Sequence, residues 1–212
     1  MRSSQLRLLV SCLLVPVAVS SAAAAEVGSG YFSVKGGSFL PNGKSGSNSL
    51  ASFDTGYNGE VAVGYRAEKY AAIEVGTGIF SSSSSVSDDN ASSKKTLYGI
   101  PVTATAKAIL DLEKLDLFAG AGLGYYFAFI KNDISFINGR SPVSESSHGS
   151  ALGYHLTVGG DYKVSEHLRV GADFKYFVAK PEFTLTNAQG TKDTAKIDVG
   201  GSTINLGLKY YF

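Results

Sequence analysis

The sequence predicts an all-β fold, an eight-stranded antiparallel up-and-down transmembrane β-barrel spanning residues 26–212 behind a cleaved signal peptide at 1–25. Three observations carry this. Apolar and polar residues alternate with period two along segment after segment. The connections between segments are alternately short and long. The composition is rich in Gly (25), Tyr (12) and Phe (12), with no Trp, which suits short strands better than helices.

A length of 212 residues accommodates one such barrel. Arg2 and Arg7 form a basic start, residues 8–19 an apolar stretch, and Ala23-Ala24-Ala25 the small residues that signal peptidase accepts before Glu26. The stretch is too short for an anchor helix and is interrupted by Pro16. A rival lies in Leu9-Val10-Ser11-Cys12, which spells a lipobox that would acylate Cys12, but apolar residues continue past that cysteine. Cleavage after Ala25 leaves a mature chain without cysteine and hence without a disulfide framework. It also removes two of the 19 cations; 17 − 18 = −1, so there is no basic surplus for a nucleic-acid partner.

The strands follow in order. The first, 31–40, sets Phe32, Val34 and Leu40 against Lys35. The second, 56–66, sets Tyr57, Val61, Val63 and Tyr65 against Glu60 and Arg66, and the third, 70–80, sets Ile73, Val75 and Ile79 against Glu74. The fourth, 96–110, opposes Tyr98, Ile100 and Val102 to Thr103, Thr105 and Lys107; the fifth, 115–129, opposes Leu123, Tyr125, Phe127 and Phe129 to a glycine row and Tyr126. The sixth, 152–162, sets Tyr154, Leu156, Val158 and Tyr162 against His155, Thr157 and Asp161. The seventh, 168–178, sets Val170, Phe174 and Tyr176 against Arg169, Asp173 and Lys175, and the last, 204–212, sets Ile204, Leu206, Leu208, Tyr210 and Phe212 against Lys209. Most match the roughly 9–11 residues that a tilted membrane strand needs.

Residues 67–69, 111–114 and 164–166 read as tight turns, whereas 41–55, 81–95, 130–149 and part of 181–197 read as long polar loops. In particular, the serine run 81–85 with Asp88-Asp89-Asn90 reads as a mobile solvated loop. At Pro181 the apolar parity changes from even (Phe174, Tyr176, Val178) to odd (Phe183, Leu185), which reads as a bulge. An even number of up-and-down strands can close and so remove its edges. A soluble lipocalin-type barrel would show the same alternation. The membrane version is favoured by a Gly- and charge-loaded polar face and by aromatics at the ends of the apolar face (Tyr57, Tyr65, Tyr98, Phe129, Tyr154, Tyr162, Phe212). The long loops also all fall at one end.

Residues 56–66 (GYNGEVAVGYR), 119–125 (AGAGLGY) and the ending LGLKYYF resemble, as an ordered set, the small outer-membrane barrels of OmpA, OmpX and opacity type. The resemblance covers 30–212 and implies Gram-negative outer-membrane insertion, with the termini and tight turns periplasmic. It also implies periplasmic chaperones and a barrel-assembly machinery that reads the C-terminal strand. It supplies no substrate, and with the chain ending at the barrel no peptidoglycan-binding domain is expected.

Parity sends Lys35, Arg66, Lys107, Arg169, Lys175 and Lys209 into the lumen with Glu60, Glu74, Asp161 and Asp173. These would line a charged channel or, as eight strands leave little room, pair into a filled interior. His155 beside Thr157 invites comparison with outer-membrane lipid deacylases, but Thr is a poor nucleophile there and parity points His155 inward, as a core histidine. His148 on a loop and His167 on a turn make no metal-ligand spacing with it. Gly120-x-x-x-Gly124 and Gly120-x-Gly122 lie in a strand and so are neither a helix-packing nor a nucleotide motif, and Asn90-Ala91-Ser92 in a surface loop carries no weight as a glycosylation acceptor. The reading is therefore a monomeric, non-enzymatic barrel with no catalytic, cofactor or metal site. Its partners are outer-membrane lipid and lipopolysaccharide, and its role is structural or in surface interaction through the loops. The alternatives are a narrow passive channel for small solutes or hydrophobic molecules and, more weakly, a lipid-modifying enzyme.

Overall fold

A computed structural model describes residues 27–42, 53–88, 91–136, 143–186 and 192–212. The expected signal peptide and Asn90 lie outside these residues. The strands are β1 (Ser29–Pro41), β2 (Gly56–Glu68), β3 (Ala71–Asp88), β4 (Ala91–Asp111), β5 (Leu115–Phe136), β6 (Val143–Lys163), β7 (Leu168–Ala179), β8 (Glu182–Thr186), β9 (Lys192–Lys196) and β10 (Gly201–Tyr211). Eight of them close a barrel in the order β1-β10-β7-β6-β5-β4-β3-β2, and β8–β9 form a separate two-stranded sheet.

Closure rests on the antiparallel pairing of β1 with β10, from Tyr31 opposite Tyr211 to Pro41 opposite Gly201. Every strand then has two neighbours, so no backbone edge of the barrel faces lipid, where each unpaired group would cost several kcal/mol. Just past the ladder, the Phe212 amide donates to the Gly30 carbonyl at 2.9 Å.

Alternation puts one residue in two outside. The outer face is apolar: Ile73, Leu123, Leu152 and Leu206 are 60%, 59%, 70% and 70% exposed. In water that surface would be a liability; in hydrocarbon it is the required one. Aromatics flank it at both ends, with Tyr65, Tyr70, Tyr162 and Tyr210 towards the tight turns and Tyr57, Tyr98, Phe129 and Tyr154 towards the long connections.

The strands differ in height. β1, β2, β7 and β10 have 11–13 residues, whereas β3 has 18, β4 and β6 have 21 and β5 has 22. Most of 81–95 and 130–149, expected as loops, is therefore ladder: Ser81 to Asp88 pairs with Tyr98 to Ala91, and Ile130 to Ile134 pairs with Ser147 to Val143. Serine is a poor strand former alone, but an established hairpin extends its backbone hydrogen bonds irrespective of side chain, and Ser81, Ser82 and Ser84 are buried. The Ser82 hydroxyl donates to the Asp54 carbonyl. The same extension places His148 on β6, opposite Phe129, rather than on a loop.

The bulge expected at Pro181 is instead a break. β7 stops at Ala179 and β8 starts at Glu182. Facing does not reverse: Phe177, Ala179, Pro181 and Phe183 are all buried. What changes is the chemistry of the inward side, from charged to apolar. β8–β9 is tied back by Ile197 N–H to Pro181 O (3.1 Å) and Val199 N–H to Ala179 O (3.0 Å).

Candidate functional site: the filled lumen and the raised sheet

From the turn end upwards, the lumen begins with Arg66, whose guanidinium contacts Asp116 at 3.1 Å and Asp111 at 3.2 Å. Arg169 also pairs with Asp116, and its guanidinium carbon stands 4.1 Å over the Tyr211 ring. Lys163 bridges Asp111 and Asp116.

The middle layer is one connected network. Lys35 Nζ lies 3.3 Å from Glu60, 3.5 Å from Glu74 and 3.2 Å from Asp173. Glu74 accepts from Lys107 at 2.6 Å and from the Tyr31 hydroxyl at 2.9 Å. Lys175 pairs with Glu60, and Lys209 with Asp161. The carboxamides of Asn58 and Asn205 meet at 2.7 Å, and Asn205 donates to Asp173 at 2.9 Å. Each cation that parity sends inward thus has at least one acid within ion-pair distance. Sequence reasoning missed Asp116, buried to 1% exposure one residue beyond the start of β5. Even-numbered β5 residues face the lumen, so extending the parity to the strand end would have found it.

Above the network the chemistry changes. Phe39, Phe80, Tyr126, Phe177 and Phe183 join Leu97, Ala128, Ala179 and Val199 in one buried apolar cluster. Phe80 stands 4.7 Å from Phe39 and 5.2 Å from Phe177, and Tyr126 stacks on Phe177 at 5.2 Å and 6°. The inward face, expected to be loaded with Gly and charge, carries in addition a small hydrophobic core near the loop end. β8 adds Phe183 to it and packs so closely on β6 that a Cβ on Gly149 would lie 2.6 Å from the Glu182 carbonyl oxygen.

His155 is buried as expected, and its Nε2 meets the Thr105 hydroxyl at 2.8 Å. His167 stacks on Tyr210 at 5.8 Å. Among the described residues no group of three or more His, Cys, Asp and Glu is arranged to hold a metal ion.

Beyond the belt, β3, β4, β5 and β6 rise together as a four-stranded sheet. A family model described as the outer membrane protein beta-barrel domain matches residues 10–212. The chain belongs to that family. Its place is the outer membrane, in agreement with the apolar belt. Among solved structures it is similar in fold to the outer membrane protein OprG of Pseudomonas aeruginosa, at 16% identity and TM-score 0.61, covering 90% of this chain and 99% of that one. It is likewise similar to Neisserial surface protein A, at 18% identity and TM-score 0.55, covering 86% and 97%. No curated protein matches the chain.

Proposed function

We propose that this protein is a non-enzymatic, monomeric outer-membrane barrel that acts at the cell surface through its raised loop end. Its signal peptide is cleaved after Ala25, and its termini and tight turns face the periplasm. The observation that carries this reading is the two-layer filling of the lumen, from Arg66–Asp116 at the turn end to the Phe39–Phe80–Phe177 cluster at the mouth. A passive channel would have to open both an ion-pair network and an apolar core, two barriers of opposite chemistry. The hairpins β3–β4 and β5–β6 instead invest 82–88, 91–97, 130–136 and 143–147 in an ordered sheet above the belt, a surface built to be met from outside. The partners are the outer-membrane lipids around the belt and, during assembly, periplasmic chaperones and the assembly machinery.

The test is a trimmed barrel. Both hairpins are cut back to the rows containing Ser81–Tyr98 and Phe129–His148 and closed with Asn-Gly turns. The trimmed protein should insert and remain heat-modifiable on gels, while cells carrying it lose attachment to immobilised matrix proteins or glycans that cells carrying the full protein show. Equal attachment by both would sink the assignment to these hairpins.

A further inference from the structure

We infer that His155 makes the mouth of the barrel acid-sensitive: protonation of its ring drives Phe177 out of the apolar core and loosens the β8–β9 hairpin above it. The device works whichever end of the barrel faces outwards, so it stands or falls apart from the surface role.

The ring sits at the boundary between the two layers of the lumen. His155 on β6 is opposite Gly122 on β5 and Phe177 on β7. One row lower, Gly120 on β5 is opposite Lys107 on β4 and Thr157 on β6, and Thr157 is opposite Lys175 on β7. One row higher, the Tyr126 ring lies over Gly153, where a Cβ would stand 2.9 Å from it. Two ammonium-bearing side chains therefore lie below the imidazole and aromatic rings above it.

Its bonding suits the neutral ring. His155 is 1% exposed, its Nε2 meets the Thr105 hydroxyl at 2.8 Å, and its Nδ1 has no hydrogen-bond partner among the described residues. A proton added there brings an N–H that needs an acceptor and a charge that needs a carboxylate. The charged groups that act on the ring are Lys175 on β7, Lys107 on β4, Glu60 on β2 and Glu74 on β3. Both acids are taken. Glu60 is held by Lys175 and by Lys35 on β1, and Glu74 by Lys107 and Lys35. The remaining acids of the layer are held as well, Asp161 by Lys209 and Asp173 by Lys35. An imidazolium is thus a surplus cation, and taking an acid for itself would strand a buried ammonium.

The surroundings leave one direction for it. A Cβ on Gly122 would lie 2.5 Å from His155 Cε1, so the ring already rests on the β5 backbone. Below it stand Lys107 and Lys175. Above it is Phe177, whose ring lies 5.8 Å from Phe39 and 5.2 Å from both Phe80 and Tyr126. A charged ring moving towards water at the mouth displaces Phe177 from that core. The β8–β9 hairpin, which adds Phe183 to the core and hangs from the Ala179 carbonyl by the Val199 N–H, loosens with it. The ion pairs beneath keep their partners, so the lower plug stays shut. The open mouth accepts a proton for which the closed one has no place, and its population grows as the pH falls below about 6.5, where free histidine titrates.

The experiment uses the folded protein in detergent carrying Val199→Cys, a position that is 2% exposed in the mouth core. Its labelling by dithiodipyridine is normalised to that of free cysteine at the same pH, with wild type as the background. Between about pH 7.5 and about pH 5 the normalised rate should rise at least about tenfold. Adding His155→Gln, which keeps a neutral polar group, should hold the rate within about twofold, whereas adding His148→Gln/His167→Gln should leave the rise intact. No rise in the parent, or an undiminished rise with His155→Gln, would overturn the switch. If His155→Gln is not heat-modifiable, the His148→Gln/His167→Gln protein decides, because His155 is then its sole histidine. Imidazole signals that titrate in step with the labelling uphold the switch; a rise in labelling without that titration overturns it.

Discussion

The ring of Phe80 rests against the backbone of Gly99, its partner across the β3–β4 ladder: a Cβ built on Gly99 would lie 2.0 Å from the ring's Cζ. The apolar core at the barrel mouth exists because the facing strand offers no side chain at that point. Gly99→Ala should therefore drive Phe80 into Phe39 and Phe177, costing about 1–3 kcal/mol as overpacking. Phe80→Ala should cost about 3–5 kcal/mol as a cavity. The combined variant should cost less than the sum, since the added methyl then has room. Urea unfolding of the four proteins in lipid vesicles, followed by heat modifiability, measures the coupling; strict additivity would show that the two positions do not share one packing site.

Glu74 is the acid of the network with most to lose, since Lys107, Lys35 and Tyr31 all converge on it. Glu74→Ala should destabilise the barrel by about 3–5 kcal/mol, because it leaves buried cations short of an acid. Removing Lys107 as well, as Glu74→Leu/Lys107→Met, should recover part of that loss. The urea midpoint decides, and an unchanged midpoint for Glu74→Ala would show the network to be hydrated and slack.

The raised hairpins carry trypsin sites at Lys94, Lys95 and Lys131. All three lie in paired ladder, with Lys94 opposite Asp133 and Lys131 opposite Thr96. Limited trypsin treatment of the folded protein should leave these bonds intact, because cleavage needs an extended segment free of its neighbours. Prompt cleavage at any of them would show that the sheet above the belt opens readily.

At the closing seam, Phe212 bonds the Gly30 carbonyl and lays its ring so closely over Gly30 that a Cβ there would lie 2.7 Å from it. Deleting Phe212 should impair assembly and leave periplasmic or degraded chain, whereas Lys209→Ala, which faces the lumen, should insert with a stability loss only. Fractionation followed by gels with and without boiling reads both; efficient insertion of the deletion would remove the role assigned to Phe212.

Much of this was legible in the sequence because the barrel has two solvents and a strict period. Each of the eight strands was visible, and Lys35, Glu60, Arg66, Glu74, Lys107, Asp161, Arg169, Asp173, Lys175 and Lys209 all face the lumen as parity requires. The mouth core was not legible for the same reason. Phe39, Phe80 and Phe177 share the parity of the charged residues, but a rule that assigns apolar side chains to lipid cannot place them inside. The change of chemistry after Lys175 was therefore misread at Pro181 as a change of facing. The raised sheet escaped notice because residues 81–95 have the composition of a loop, whereas backbone pairing inherited from the hairpin below decides their structure. Asp116 lies inside the strand expected over 115–129, and it is missed because the lumen-facing parity is read there only from the glycine row at Gly120 onward.

The most direct measurement is single-channel recording of the folded protein in a planar bilayer. With the ion-pair network and the aromatic mouth both closed, wild type should show no stable conductance across the voltage range the bilayer tolerates. A steady, ion-selective current from the unmodified protein would contradict the filled lumen and make the barrel a channel.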